Sequence, residues 1–344
     1  MLQNVLRKEK RQFDRYLVLG IVIMVMILLV SVTLGEASIS VSEGFTIIYN
    51  QVLQKNVPDD IHTAIVWDLR LPRILCGLLI GAGLAVSGVI FQSVLRNPLA
   101  DPYTIGVSTG AAFGAVLAIY INMVYGLLIP ITPVAFIFAI LTLVVILKIA
   151  GFNHTLHTSR LILAGIIVGS IFSAGISLLK SMAGEDVSAM VFWLMGRLSA
   201  KSWTDVLILF PLVSIGIILA FVMSDDLDVL TLGINEAKSV GLDGERSVRK
   251  FLIIGALLTA VCVSISGVIG FIGLIVPHFI RMGFTAKHRY LIPLSAVVGG
   301  VVLMLSDNIS RLLFQVEIPV GVITTLIGGP FFIYIYMNKK GQIL

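Results

Sequence analysis

Three polar stretches interrupt an otherwise apolar chain, and they hold most of the residues able to do chemistry. The first, WDLRLPR at residues 67–73, sets Arg70 and Arg73 three apart, one helical turn, just before a long apolar run. Guanidinium groups so placed suit lipid headgroups or snorkelling at a helix end, or else the acidic side chains of an extracytoplasmic protein partner. Arg311 adds a third cation in a later polar connection. The second stretch, LRNPLADPYTIGVSTG at residues 95–110, carries Asn97 and Asp101 each before a proline. Proline fixes its own φ and restricts the residue before it, so this is a short, stiff turn. Thr104 or Ser108 is placed to start the next helix. The third stretch, SDDLDVLTLGINEAKSVGLDGERSVRK at residues 224–250, has Asn235 as a candidate N-cap and Gly241 as a candidate glycine just past a helix end. Gly233 would end an earlier turn. The pattern is two short helices at a membrane surface, with Ala237 and Gly241 as small contact positions; a solvated loop is the plainer alternative.

Other chemistry is thinly provided. Cys76 and Cys262 each lie in an apolar run, without the neighbouring ligands a metal site needs. His278, beside Pro277, reads as a packed, hydrogen-bonded histidine, because no paired nucleophile and base stand out for an enzyme. There is no H-E-x-x-H, no G-x-S-x-G and no G-x-x-x-x-G-K-[ST]. No Asp, Glu, Lys or Arg falls near the middle of an apolar run. Proton relays and ion-coupled carriers place such groups there. An ion-coupled secondary carrier is therefore the weaker of two transport readings. Uphill movement would draw its energy from another protein.

These groups must be positioned by helices in a bilayer. The 344 residues are 58% hydrophobic and only 12% charged, with a mean hydropathy of +1.04. Spanning barrels alternate apolar and polar residues, whereas these runs are continuous. The expected fold is an all-α integral membrane protein with about ten transmembrane helices. Its apolar segments lie near 16–35, 71–94, 104–121, 127–149, 160–180, 204–223, 249–269, 270–281, 290–306 and 318–337. The eighth, GFIGLIVPHFI, is too short for a hydrocarbon core of about 30 Å and is broken by Gly and Pro. It is expected as a half-span packed inside protein. The first run has no small-residue cleavage site after it and reads as a retained span.

With the N-terminus inside, seventeen of the 24 Lys and Arg residues fall on the inner side and seven outside. Ten spans then return the C-terminus to the cytoplasm. The net charge of +5 follows from this bias and needs no nucleic acid. Four shared letters, SGVI at 87–90 and 266–269, hint at an inverted repeat relating spans 2–5 to spans 7–10.

Several stretches together resemble the FecCD-type permeases, the membrane subunits of bacterial ABC importers for iron chelates, haem and cobalamin. They are DLRLPRILCGLLIGAGLAVSGVIFQSVLRNPLADPYTIGVSTGAAFGA, TSRLILAGI, LGINEAKSVGLDGE, SGVIGFIGLIVPHFIR and EIPVGVITTLIGGPFFIYI, in order from about residue 60 onward. The resemblance implies one transmembrane permease domain over residues 1–344, in the bacterial cytoplasmic membrane, with residues 1–15 in the cytoplasm. It implies a type II importer of ferric siderophore or a related iron chelate, with haem or cobalamin as alternative cargo. The implied partners are a second permease subunit, identical or paralogous, two ABC ATPases, an extracytoplasmic substrate-binding protein and membrane lipid. The chain itself would bind no cofactor; ATP and magnesium would sit on the ATPases. By the same resemblance, Arg70, Arg73 and Arg311 would receive glutamates of the binding protein. Asn97, Leu99, Thr158 and Ser159 would form the cytoplasmic gate. Leu232, Gly233, Asn235, Ala237, Val240, Gly241 and Leu242, within 224–250, would couple to the ATPase.

Overall fold

The computed structural model describes residues 2–35, 37–54, 60–151, 158–313 and 317–338, and every regular element among them is helical. Helix α1 (Leu2–Thr33) leads to a short helix α2 (Val41–Val52). A single turn, α3 (Ile61–Thr63), runs through a π-helical stretch, Ala64–Arg70, into α4 (Leu71–Val94). There follow α5 (Val107–Tyr125), α6 (Ile131–Ile149), α7 (Thr158–Ala183) and the short α8 (Ser188–Leu194), then α9 (Trp203–Val222). Two small helices, α10 (Ser224–Leu232) and α11 (Ile234–Ser239), precede α12 (Gly244–Ser266). The chain closes with α13 (Ile272–Gly283), α14 (His288–Leu312) and α15 (Val320–Asn338).

Eight helical stretches among the described residues are long and apolar enough to cross a membrane, and Ile272–Gly283 and Val320–Tyr334 are shorter apolar helices. The ten apolar runs are thus all helical, and the eighth is the short one. Several boundaries moved: the second helix is continuous from Ile61, and the third runs Val107–Tyr125. The fifth helix continues past residue 180 to join α8, and the ninth continues past 306 to Leu312. Asp307 and Arg311 therefore lie on a helix, where the sequence had suggested a loop for Arg311.

Burial sorts the helices into two sets. In α4, 83% of the most apolar window is buried; in α1 the share is 11%. α4 and α12 form the interior, while α1, α6, α7 and α9 turn apolar side chains such as Val18, Ile137, Ile171 and Leu207 outward. In water those faces would drive aggregation; against acyl chains they cost nothing. Interior helices approach through glycine. A side chain on Gly81 would meet the Gly299 carbonyl of α14, and one on Gly88 would meet the Gly273 carbonyl of α13. Dispersion between backbones at such close range substitutes for the hydrophobic effect inside a bilayer.

Contacts between the interior helices are reciprocal. α4 packs on α12, and also on α13 and α14; α12 packs on α5 and α6. An inverted repeat pairing α4–α7 with α12–α15 produces this pattern. The SGVI letters do not carry it. Ser87 sits inside α4 and donates to the Gly255 carbonyl at 2.8 Å, whereas Ser266 is the last residue of α12. The two copies hold different places in the fold.

Candidate outer rim, inner turn and coupling hairpin

The charge bias makes the end of the bundle holding Arg70, Arg73 and Arg311 the expected outer one. The three guanidinium groups face inward to protein. Arg70 is 7% exposed and donates to the carbonyls of Val32 and Ala37, both at 2.8 Å. It clips the connection between α1 and α2 to the bundle, so the structure does not present it as an open docking group. Arg73 grips Asp307 with Nε and one terminal nitrogen at 2.7–3.0 Å and also pairs with Glu317. Arg311 donates to Asn308 Oδ1 at 2.6 Å and to the carbonyls of Leu34 and Ser31 at 3.2 and 3.3 Å. Its Nε lies 3.4 Å from Asp307 Oδ2. One buried carboxylate thus sits between two arginines, and its removal would leave Arg311 without an anion and Arg73 with only the more exposed Glu317.

Sequence reasoning missed Asp307 and Glu317. The signal was present: Asp307 precedes Arg311 by four residues, an ion-pair spacing on a helix. Glu317 is the more exposed of the two acids. It lines a cleft of about 210 Å³ with Arg73, Phe192, Arg197 and Pro319. Arg197 is exposed at its edge.

At the opposite end the Asn-Pro turn does more than reverse the chain. Asn97 Oδ1 accepts the Leu99 N–H at 2.9 Å, and Asp101 accepts that of Tyr103 at 3.1 Å, two successive Asx turns. Burial pushes the Asp101 carboxyl up to about 6. The chain then re-enters the bundle. Thr104, Ile105 and Gly106 lie against Gly165, seven residues or about 10 Å into α7. Neither Thr104 nor Ser108 opens α5; Gly106, at φ +80°, precedes its first residue, Val107. Inside, the Tyr103 hydroxyl donates to the Ile269 carbonyl at 2.5 Å and accepts the Ile269 N–H at 2.9 Å. Ile269 lies in the irregular stretch before α13. Its backbone, freed by the helix break, finds both partners in one phenol, as a low-dielectric interior demands.

Of the four gate candidates, Asn97 and Leu99 form the exposed tip of this turn and Ser159 is exposed in the first turn of α7. Thr158 is the first residue of that helix, and the preceding residues 152–157 are outside those described.

The inner hairpin α10–α11 divides cleanly into an outward and an inward face. Leu232 and Val240 are 65% and 69% exposed, with Asn235 and Gly241 also open. Leu242 is half-buried, and Gly233 and Ala237 are buried. Ala237 packs near Gly244 and so holds the hairpin together; it is not a surface contact position. Asn235 is not the N-cap either. Gly233, at φ +139°, occupies that place, and Asn235 lies within α11. The Gly241 expectation stands. At φ +85° its N–H donates to the Lys238 carbonyl, while the Leu242 N–H donates to that of Ala237. This is a Schellman closure, rigid for so short a helix.

A model of the FecCD transport family matches residues 23–338. The chain belongs to the FecCD transport family. It is 38% identical to the cobalamin import system permease protein BtuC of Halobacterium salinarum over 91% of this chain and 86% of the relative. It is 34% identical to the hemin transport system permease protein HmuU of Yersinia pestis, covering 92% and 95% of the two chains. A solved inward-facing ABC transporter assigned to the metal-chelate type superposes with a TM-score of 0.82 at 33% identity, covering 94% of this chain and 99% of the other. This FecCD-family chain is a multi-pass membrane permease.

Among the described residues no cluster of three or more His, Cys, Asp or Glu side chains is placed to hold a metal ion. Cys76 and Cys262 are buried, free thiols. His278 is buried with its ring 6.3 Å from that of Phe332. One arrangement departs from the sequence reading, which found no paired nucleophile and base. Ser93 Oγ lies 2.5 Å from His288 Nε2, and His288 Nδ1 lies 2.6 Å from Asp228 Oδ1. These residues have the distances of a hydrolase triad, but Ser93 is 3% exposed inside the helix packing and its hydroxyl also meets the Val89 carbonyl at 2.7 Å. A substrate carbonyl has no room to approach it.

Proposed function

We propose that this chain is the permease subunit of a type II ABC importer that takes up a ferric siderophore or related iron chelate. The observation that carries this reading is the rigid, apolar-tipped α10–α11 hairpin at the inner end of a FecCD-family bundle. Exposed Leu232 and Val240 on a Schellman-closed helix suit a groove on a soluble motor. ATP and magnesium would be held by two partner ATPases, and this chain would pair with a second permease subunit, identical or paralogous. Both termini would be cytoplasmic. At the outer end, Arg73 and Arg311 would meet acidic side chains of an extracytoplasmic binding protein, with Arg70 securing the rim from behind. Asn97, Leu99, Thr158 and Ser159 would line the inner constriction.

Cargo identity rests on likeness to a hemin permease and to a metal-chelate transporter, both of which handle metal complexes. Cobalamin is a second reading, favoured by the 38% identical relative. The test is reconstitution of the full transporter in liposomes with its receptor and radiolabelled ferric siderophore, hemin, cobalamin or molybdate. ATP-dependent accumulation of an iron chelate is expected. Accumulation driven by an ion gradient with no ATPase present would overturn the importer reading. Uptake of cobalamin or molybdate alone would overturn the iron assignment.

A further inference from the structure

The Ser93–His288–Asp228 arrangement belongs to a longer chain of polar side chains, and it starts on the coupling hairpin. Asp228 lies on α10. Its Oδ1 accepts the backbone N–H of His288 at 3.0 Å and faces the imidazole Nδ1 at 2.6 Å. The carboxylate thus serves the first residue of α14, where the helix dipole favours an anion. Burial opposes the charge, but the hydrogen bonds from His288 hold the Asp228 carboxyl below its usual range. The other imidazole nitrogen meets Ser93 of α4. Arg281, in the last turn of α13, donates to Ser93 Oγ at 3.2 Å and also binds Gln92 Oε1. The Gln92 amide nitrogen donates to the carbonyls of Gly273 and Leu274, each at 3.1 Å, at the other end of α13. Gln92 therefore grips the half-span at both of its ends.

Four helices meet here through buried or part-buried hydrogen bonds, and one of them is the element proposed to receive the motor. A chain of directional hydrogen bonds in a low dielectric resists stretching, and such networks carry coupling between elements. The geometry points to Asp228, His288, Ser93, Arg281 and Gln92 as the link that carries movement of the α10–α11 hairpin to the half-span α13. This inference rests on the ATPase-driven reading above. The members are positioning residues: none is assigned contact with cargo. Movement of α13 would in turn shift residues 267–271 and the Tyr103 clasp that holds Ile269.

The experiment uses the complete transporter in liposomes, with Ser93→Ala, Asp228→Ala and the double variant. The complex should assemble, ATPase activity should stay within about twofold of the parent, and cargo moved per ATP should fall roughly tenfold in each single variant, a size typical of coupling between sites. The double variant should be no worse than either single, since both cut one chain. Spin labels at Asp225 of α10 and at Met282, both exposed, give a second readout. In the parent, ATP should move both; in Ser93→Ala only the Asp225 label should move. Unchanged transport per ATP in both singles, a further tenfold loss in the double, or failure of both singles to assemble would each overturn the inference. If the parent complex itself shows no ATP-driven uptake, it is the importer reading that fails, and this is seen before any variant is compared.

Discussion

The Arg73 guanidinium is shared between an inner acid, Asp307, and an outer one, Glu317, whose side chains are 4% and 44% exposed. If a receptor docks here as proposed, its carboxylate has to replace Glu317. Its removal should therefore help docking. Glu317→Gln is expected to tighten receptor binding by about fivefold, equivalent to about 1 kcal/mol at a partly exposed ion pair. Surface plasmon resonance on the detergent-solubilised complex reads this directly, and weaker binding would remove the rim from the docking surface. Asp101 supports a second expectation. Its carboxyl is raised by burial to about 6, so it holds a proton across a pH range where a free aspartate has lost it. Because the folded value lies above the unfolded one, the turn is most stable below about pH 4 and loses stability as pH rises toward 6. Infrared difference spectra at pH 5 should show a protonated carboxyl band that disappears in Asp101→Asn. Single residues of this kind were only partly legible. Arg70 and Arg73 stood out by type, but their partners did not, because Asp307 is more than two hundred positions away from Arg73 along the chain.

At the scale of elements, composition told most of the story. Ten continuous apolar runs became helices because a bilayer leaves the backbone few other ways to satisfy itself. The break in the eighth was readable from Gly and Pro within GFIGLIVPHFI. What satisfies that break was not readable. Tyr103 lies in a polar turn with no helical period, 166 residues from Ile269, and only the re-entry of the chain brings its hydroxyl there. Tyr103→Phe keeps the ring and removes one oxygen that serves both backbone groups. Loss of about 1–3 kcal/mol is expected for the groups left unpaired. Thermal unfolding in detergent should fall accordingly, and hydrogen exchange at residues 267–271 should speed up. An unchanged exchange pattern would mean the stretch is held by other means. The hairpin shows the same division: Gly241 was legible from its spacing, whereas Asn235 and Ala237 were misassigned because the positive φ of Gly233 and the tuck of α11 on α12 are tertiary facts.

For the molecule as a whole, the interior is α4 and α12, and the outer helices spread apolar surface toward lipid. The end bearing α10–α11 carries a different kind of exposed apolar surface, two isolated side chains on a rigid hairpin. If these seat the motor, Leu232→Asp combined with Val240→Asp should abolish co-purification of the ATPases while leaving the permease folded and able to bind its receptor. Retained co-purification would place the contact elsewhere. The outer end has its own whole-molecule consequence. α1 lies at the periphery with one face open, yet the carbonyls of Ser31, Val32 and Leu34 at its C-terminal end each accept from Arg70 or Arg311. A chain shortened to begin after Leu34 would retain nine hydrophobic segments, leave Arg70 with the Ala37 carbonyl alone and take two backbone acceptors from Arg311. Trimming this one peripheral staple should thus cripple biogenesis far more than its place at the edge suggests.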